Sequence, residues 1–248
     1  MLKERTGQNI VFLVGRGSRL PNILDKILPD SPLRATLVVS HRKPEEGNGD
    51  VPGVAYAKKM GIPAIYWNLV QMRKADFDTF APPAMKEDYH AELYREKFMR
   101  LLGAFIFQQC YKPNLIFMTG WDLVVDDNFT RFFQKENIPI LNVHPHPLPN
   151  TNEPQDEITA PDGTKIPVLR GTEVWVKAIE LKLPWSGVTI HKVIPEVYDV
   201  GPVVARKWVK IDPKDTDKTL REKLNKIEDK IVPKTILKIA KGQIILKS

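Results

Sequence analysis

The sequence lacks several features that define whole classes of protein. It has a single cysteine, Cys110, among 248 residues, which excludes a disulfide framework and a zinc site built on cysteines. Its longest apolar runs, such as Ile10–Val14 and Leu115–Met118, fall far short of the roughly 18 residues of a transmembrane helix. The first residues, Met1–Arg5, contain no apolar stretch of the kind found in secretory signals. We therefore expect a cytoplasmic protein without a membrane partner.

Positive charge is in excess but is not concentrated. The sequence has 37 Lys and Arg against 30 Asp and Glu, a formal net charge of +7. Many of the lysines fall between Arg206 and Lys247, spread along a predicted helix, and no arginine-rich or aromatic-interleaved tract accompanies them. A solvated basic helix face is expected, and attraction of a phosphorylated or carboxylated metabolite stays open. A nucleic acid partner is not expected.

The first 149 residues alternate between short apolar runs and amphipathic segments. We predict strands at residues 9–14, 35–40, 62–67, 115–118 and 138–143, and helices at residues 18–28, 54–60, 87–109 and 127–135. Ser18 is expected to cap the first helix, and Gly61 to end the second. This alternation predicts a doubly wound α/β fold, Rossmann-like, with a mainly parallel sheet and right-handed crossovers.

The second part of the chain differs in character. Residues 150–167 are polar and rich in Pro, Asp, Glu and Gly, which predicts a loop or flap, although residues 165–169 have strand character. Residues 188–193 and 203–209 predict an antiparallel hairpin, and residues 216–240 predict a long terminal helix that Pro233 should kink. No linker divides the chain, so we expect one domain over residues 1–248, with a Rossmann-like half (1–149) and a second part (150–248) carrying the inserted loop, the hairpin and the helix.

A glycine-rich turn, Gly15–Ser18, follows the first predicted strand. Such a turn before a helix can hold a phosphate on its backbone amides. The dinucleotide fingerprint requires a third glycine where Leu20 stands and an acidic residue at the end of the second strand, which ends at Ser40 and is followed by His41 and Arg42. NAD is therefore not expected. NADP, with Arg42 on its 2′-phosphate, and a plain structural turn stay as alternatives.

Asn142 and His144 lie at the end of the last parallel strand. Residues two apart in a strand share a face, and ligands of open α/β sheets bind at the carboxyl ends of the strands. This pair supplies an amide donor for an oxyanion and an imidazole for proton transfer. His146 could add a second histidine to a metal site, but no third ligand is indicated, so no metal is expected.

Asp199 lies in the turn Asp199–Pro202. Asp and Gly are ordinary turn residues, so a surface turn is one interpretation. The other is functional: the Asp199 carboxylate would lie beside His144, orient its imidazole and favour the charged form.

Four sequence patterns together carry a resemblance. They are Gly-x-Gly-Ser at residues 15–18, Asn-x-His-Pro-x-x-Leu-Pro at 142–149, His…Asp-x-Gly-Pro at 191–202, and Glu…Pro…Gly at 228–242. From about Asn9 to Gly242 the chain resembles the folate-dependent formyltransferase family, and within it the phosphoribosylglycinamide (GAR) formyltransferases of purine biosynthesis.

The resemblance implies formyl transfer from 10-formyltetrahydrofolate, the co-substrate, to the amine of GAR, with no metal. It implies that Asn142 and protonated His144 stabilise the tetrahedral oxyanion, and that Asp199 holds His144 and orders a relaying water. The implied acceptor-binding residues are Gly15, Arg16, Gly17, Ser18, Gly120, Pro145 and Glu228. The implied folate-binding residues are Trp121, Asp122, Leu123, Val124, Val125, Val197, Tyr198 and Asp199. Small-molecule substrates and a possible homodimer complete the expected partners.

Some positions depart from the family pattern. Trp121-Asp122-Leu123 stands where the family has hydrophobic residues followed by arginine, and His146 stands where serine is common. Residues 150–167 look inserted, as a lid, an oligomer contact or a surface elaboration. An amino-sugar N-formyltransferase, a formyltetrahydrofolate hydrolase and an NADP-binding oxidoreductase stay as alternative functions.

Overall fold

A seven-stranded sheet organises the computed structural model, which describes residues 8–29, 31–44, 49–71, 87–108 and 111–246. The strands are β1 (Gln8–Val14), β2 (Leu33–Ser40), β3 (Ala64–Tyr66), β4 (Leu115–Thr119), β5 (Ile140–His144), β6 (Glu157–Thr159), β7 (Lys165–Pro167), β8 (Trp185–Lys192) and β9 (Val203–Lys210). The main helices are α1 (Leu20–Ile27), α2 (Pro52–Lys59), α3 (Glu87–Gln108), α4 (Asp127–Lys135), α5 (Val174–Glu180) and α6 (Asp217–Ala240). Cys110 lies outside the described residues.

The strand order of the large sheet is β3-β2-β1-β4-β5-β8-β9. The first five strands are parallel, whereas β8 runs antiparallel to β5, and β9 runs antiparallel to β8. This confirms the mainly parallel α/β fold with an antiparallel hairpin and a terminal helix. The order reverses between β1 and β4, and open sheets of this kind form a ligand crevice at such a point.

Both faces of the sheet are covered. On β1, Phe12 and Val14 belong to a buried cluster that includes α1 and α6 side chains, while Val11 and Leu13 belong to a cluster with α3 and α4 side chains. Adjacent strand residues point to opposite faces, so a strand buried on both faces must be apolar throughout. This explains the uninterrupted apolar runs. Among the described helices, none combines the length and apolar character needed to cross a membrane.

The start of α1 corrects one expectation. Ser18 does not cap this helix: Arg19 occupies the cap position and makes no capping side-chain hydrogen bond. Gly17 turns the chain with a φ of +66° and its carbonyl accepts a bond from the Leu20 amide, so the helix begins later than predicted. A Cβ on Gly17 would lie 2.8 Å from Cα of Gly53, which shows how closely α2 approaches this turn.

The inserted segment corrects a second expectation. Residues 150–167 are not only loop, because β6 and β7 pair as an antiparallel hairpin within them. Ile158 and Ile166 form a small buried cluster with Leu148 and Val168, packed against Trp185 and Trp208. The hairpin therefore lies on β8 and β9 through an apolar face of its own. Its strands are only three residues long, too short for an alternating pattern to stand out in a polar segment.

Candidate functional site

A cleft of about 900 Å³ opens at the carboxyl ends of the central strands. The predicted site residues that line it are Arg16, Gly17, Ser18, Gly120, Trp121, Asp122, Leu123, Val124, Val125, Asn142, His144, Pro145, Val197, Tyr198, Asp199 and Glu228. Gly15 is not part of the lining. Gly15 packs behind the lining residues, and a Cβ at this position would lie 2.5 Å from the carbonyl oxygen of Gly120. Backbone contact between the loops after β1 and β4 thus requires glycine at position 15.

His144 and Asp199 meet in this cleft although 55 positions separate them. Nδ1 of His144 lies 3.3 Å from Oδ1 of Asp199, and their side chains are only 3% and 11% exposed. Oδ2 of Asp199 accepts a 2.8 Å hydrogen bond from the Gly171 amide. Asp199 has a φ of +52°, a conformation that aspartate adopts more readily than most side chains. The Asp199 turn is therefore folded inward against the histidine instead of facing solvent.

The second nitrogen of His144 also has a partner. Nε2 lies 2.8 Å from the carbonyl oxygen of Leu169. Both ring nitrogens thus face oxygen acceptors, and the imidazolium satisfies both because it carries two N–H donors. A direct hydrogen bond from His144 to a reacting oxygen requires one of these two partners to be exchanged or shared.

Asp199 is held in its charged form. Burial by itself would raise the pKa of this carboxyl, but the charge and hydrogen bond of His144, together with the Gly171 amide, lower it to about 2. A carboxylate so stabilised favours a cationic partner. An ionised carboxylate therefore lies against the His144 imidazole at the wall of the cleft.

His191 lines the cleft, although the pattern at residues 191–202 predicted no role for it. Its Nε2 lies 3.5 Å from Nδ2 of Asn142, and its Nδ1 lies 3.2 Å from the carbonyl oxygen of Lys192. Burial lowers the pKa of His191 to about 4, so the ring is neutral near pH 7. With its proton on Nδ1, toward the carbonyl, Nε2 accepts a hydrogen bond from the Asn142 amide.

The opposite end of the cleft is rich in arginine. Glu228 of α6 is buried, and its Oε1 accepts a 3.1 Å hydrogen bond from Arg221. Burial raises the pKa of Glu228, although the nearby charges of Arg221 and Arg19 oppose the shift. The Arg221 guanidinium also stacks on Trp175, 4.4 Å from the ring centroid. Sequence reasoning found Glu228 but missed Arg221 and Trp175, since only the folded chain brings α5 and α6 together beside the glycine turn.

Asp122 is neutralised by residues that follow β2. Its carboxylate accepts a 2.5 Å hydrogen bond from Arg42 and forms an ion pair with His41. Burial opposes ionisation, but the His41 hydrogen bond and the Arg42 charge leave the pKa of Asp122 below its usual value. Trp121 is buried edge-on against His41. A cation therefore lies near the position where the family pattern has arginine, but it comes from another strand.

The described residues contain no group of three His, Cys, Asp or Glu side chains placed to hold a metal ion. Arg42, which the NADP alternative assigns to a 2′-phosphate, is paired with Asp122.

Comparisons with known proteins agree on one family. The chain is 25% identical over 234 residues to the phosphoribosylglycinamide formyltransferase of Schizosaccharomyces pombe, covering 93% of this chain and 95% of that protein. It is 24% identical to the trifunctional purine biosynthetic protein adenosine-3 of Homo sapiens over 98% of this chain, but spans only 19% of that protein. The fold is similar to that of glycinamide ribonucleotide transformylase 1 from Symbiobacterium toebii, with a TM-score of 0.70, 23% identity and coverage of 99% and 93% of the two chains.

The family model described as formyl transferase matches residues 8–236. This span includes every strand of the large sheet and nearly all of α6, together with the cleft residues described above. The chain belongs to the formyl transferase family.

Proposed function

We propose that this protein transfers the formyl group of 10-formyltetrahydrofolate to the amine of GAR. The observation that carries the proposal is the convergence of Asn142, His144 and Asp199 on one cleft that also contains the glycine turn and Glu228. The S. pombe relative that matches along nearly its whole length is a phosphoribosylglycinamide formyltransferase by name. In this proposal His144 and Asp199 form a proton-transfer pair, with the acceptor at one end of the cleft and the folate at the other.

In this proposal the amine nitrogen of GAR attacks the formyl carbon, and the formyl oxygen becomes an oxyanion. The bond from the formyl carbon to folate N10 then breaks, and the proton lost by the amine passes to the leaving N10. The Asn142 amide donates a hydrogen bond to the oxyanion, and the charge of His144 stabilises it through space. Asp199 holds His144 and orients a water that relays the proton.

The acceptor would bind at the arginine-rich end. Its phosphate would contact the backbone of Gly17 and Ser18, beside the N-terminus of α1. Arg19 and Arg221 also line this end of the cleft, each paired with a carboxylate of α6. The Glu228 carboxylate would accept hydrogen bonds from ribose hydroxyls, since it is the acidic side chain facing this end from α6.

The folate would occupy the other end. The whole cleft, with a volume of about 900 Å³, lies near the upper end of the roughly 300–1,000 Å³ of typical ligand pockets. Val124, Val197 and Tyr198 line this end. Val124 and Tyr198 are 50% and 61% exposed, so their side chains are available to pack against a ligand ring. The pterin would pack among them and bond to the backbone of residues 121–125 and 197–199.

The proposal is tested by incubating the purified protein with 10-formyltetrahydrofolate and GAR, an amino-sugar nucleotide, or no acceptor. Mass spectrometry of the acceptor and release of formate are followed together. We expect a kcat/KM for GAR at least tenfold above that for the sugar nucleotide, with slow formate release. Preferred formylation of the sugar nucleotide, or formate release that acceptors do not increase, would assign one of the two other formyl-folate reactions instead.

A further inference from the structure

Two histidines at the end of β5 hold one stretch of backbone. Nε2 of His144 lies 2.8 Å from the carbonyl oxygen of Leu169, and Nε2 of His146 lies 3.1 Å from the carbonyl oxygen of Pro167. Histidines two positions apart thus bind carbonyls two positions apart. We name residues 167–171, which begin at the last residue of β7, the clamp segment.

The clamp segment contacts both members of the His144–Asp199 pair. Its Leu169 carbonyl faces Nε2 of His144, and its Gly171 amide donates to Oδ2 of Asp199. A shift of this backbone therefore changes the hydrogen bonds of the imidazole and the carboxylate together. Displacements of about 1 Å in such groups are enough to slow a reaction considerably.

The inserted hairpin anchors one end of the clamp segment. Val168 is buried with Ile158 and Ile166 against the two tryptophans of β8 and β9, and its amide donates to the Asp156 carbonyl. Trp185 donates from Nε1 to Asp162 at the hairpin turn. The inserted hairpin therefore packs on β8 and β9 and supports the clamp segment, and it does not line the cleft.

His146 is suited to hold the clamp segment. Its side chain is completely buried, and burial lowers the pKa of His146 to about 3, so the ring stays neutral. Nδ1 has no hydrogen-bond partner among the described residues, which leaves the Pro167 carbonyl to determine that the proton sits on Nε2. Water does not compete for this bond at a buried position.

We propose that His146 is a positioning residue, which orients the His144–Asp199 pair by holding the clamp segment against the β6–β7 hairpin. The effect on catalysis rests on the proposed formyl transfer. The effect on the His144 ring does not, because it follows from the hydrogen bonds alone.

The test compares two substitutions of His146. His146→Gln keeps an N–H near the position of Nε2, whereas His146→Leu removes the donor at similar volume. We expect His146→Leu to lower kcat 10- to 100-fold with both KM values within twofold, and His146→Gln to stay within threefold of the wild-type kcat. Lys58→Ala on α2, which removes an exposed ion pair with Asp50, outside the hairpin and the clamp segment, is the control and should leave kcat within twofold. If His146→Leu does not fold, His146→Asn replaces it, because its shorter amide does not reach the carbonyl.

A second readout uses ¹⁵N-labelled histidine and NMR spectroscopy, without substrate. We expect His146 to be protonated on Nε2 only, and the ring resonances of His144 to shift in His146→Leu but not in Lys58→Ala. Unchanged kcat in His146→Leu, or unchanged His144 resonances, would overturn the proposal. A wild-type protein that formylates no acceptor would refute the proposed function, while the His144 resonances still decide whether the clamp segment acts as proposed.

Discussion

Asn142 and His191 are cross-strand partners in β5 and β8, with the Asn142 amide nitrogen 3.5 Å from Nε2 of the histidine. Near pH 7 His191 is neutral, and with its proton on Nδ1, toward the Lys192 carbonyl, Nε2 accepts a hydrogen bond from that amide. In this arrangement the second N–H of the Asn142 amide is left for a ligand in the cleft. We infer that His191 orients Asn142.

Replacing His191 tests this relationship. We expect His191→Phe to lower kcat about tenfold with little change in either KM, because Asn142 loses the acceptor that orients it. His191→Gln, which keeps a polar group near the position of Nε2, is the matched variant and should retain more activity. Steady-state kinetics with both substrates varied is the measurement. Equal losses in the two variants would contradict an orienting role.

Removing either member of the His144–Asp199 pair should abolish formyl transfer. We expect His144→Ala and Asp199→Asn each to lower kcat by roughly 10²–10⁴, the range associated with general acid–base groups. Asp199→Asn is nearly isosteric, and asparagine accepts a positive φ as readily as aspartate. Circular dichroism and thermal unfolding are expected to show an intact fold. Turnover close to wild type in either variant would refute these roles.

A substitution of Glu228 distinguishes the proposed GAR site from the proposed folate site. We expect Glu228→Ala to raise the KM for GAR about tenfold or more, with a smaller effect on the KM for the folate, because the ribose hydroxyls lose their acceptor. Glu228→Gln keeps an acceptor oxygen and should fall between Glu228→Ala and wild type. The reverse order of KM effects would indicate a different acceptor.

The buried histidines predict a loss of stability in mild acid. The folded-state pKa values of His146 and His191, about 3 and about 4, lie below the ordinary value of about 6.5. Below pH 6.5 the unfolded chain therefore binds protons at these histidines that the folded chain does not bind. Their contribution to stability is full above pH 6.5 and is lost as the pH falls toward 4. Each histidine contributes about 1.4 kcal/mol per pH unit within this window.

Urea unfolding at pH 7.5 and at pH 5.0 measures this effect. We expect the free energy of unfolding of His146→Gln to fall by roughly 2 kcal/mol less than that of wild type between the two pH values, since one of the two titrating groups is removed. An equal fall in both proteins would show that His146 is not the source of this pH dependence.

The order of elements was predictable because it depends on local patterns. Apolar runs predicted β1, β4 and β5, and Gly61 correctly ended α2 at a φ of +71°. Ser18 misled because a capping residue is recognised by type, whereas the backbone of Gly17 decides where the helix starts. The hairpin β6–β7 was missed because its two short strands are stabilised by packing against Trp185 and Trp208, which lie elsewhere in the sequence.

The amino-acid order alone determined the alternation of strands and helices, the glycine turn, and the placement of Asn142 and His144 on one strand, since each depends on neighbours within a few residues. Only the tertiary structure decided that Asp199 turns inward to His144, that His191 lies against Asn142, and that Arg42 pairs with Asp122. These contacts join residues brought together by strand pairing and loop packing, and their strength comes from burial. Neither the pairing nor the burial can be read from spacing along the chain.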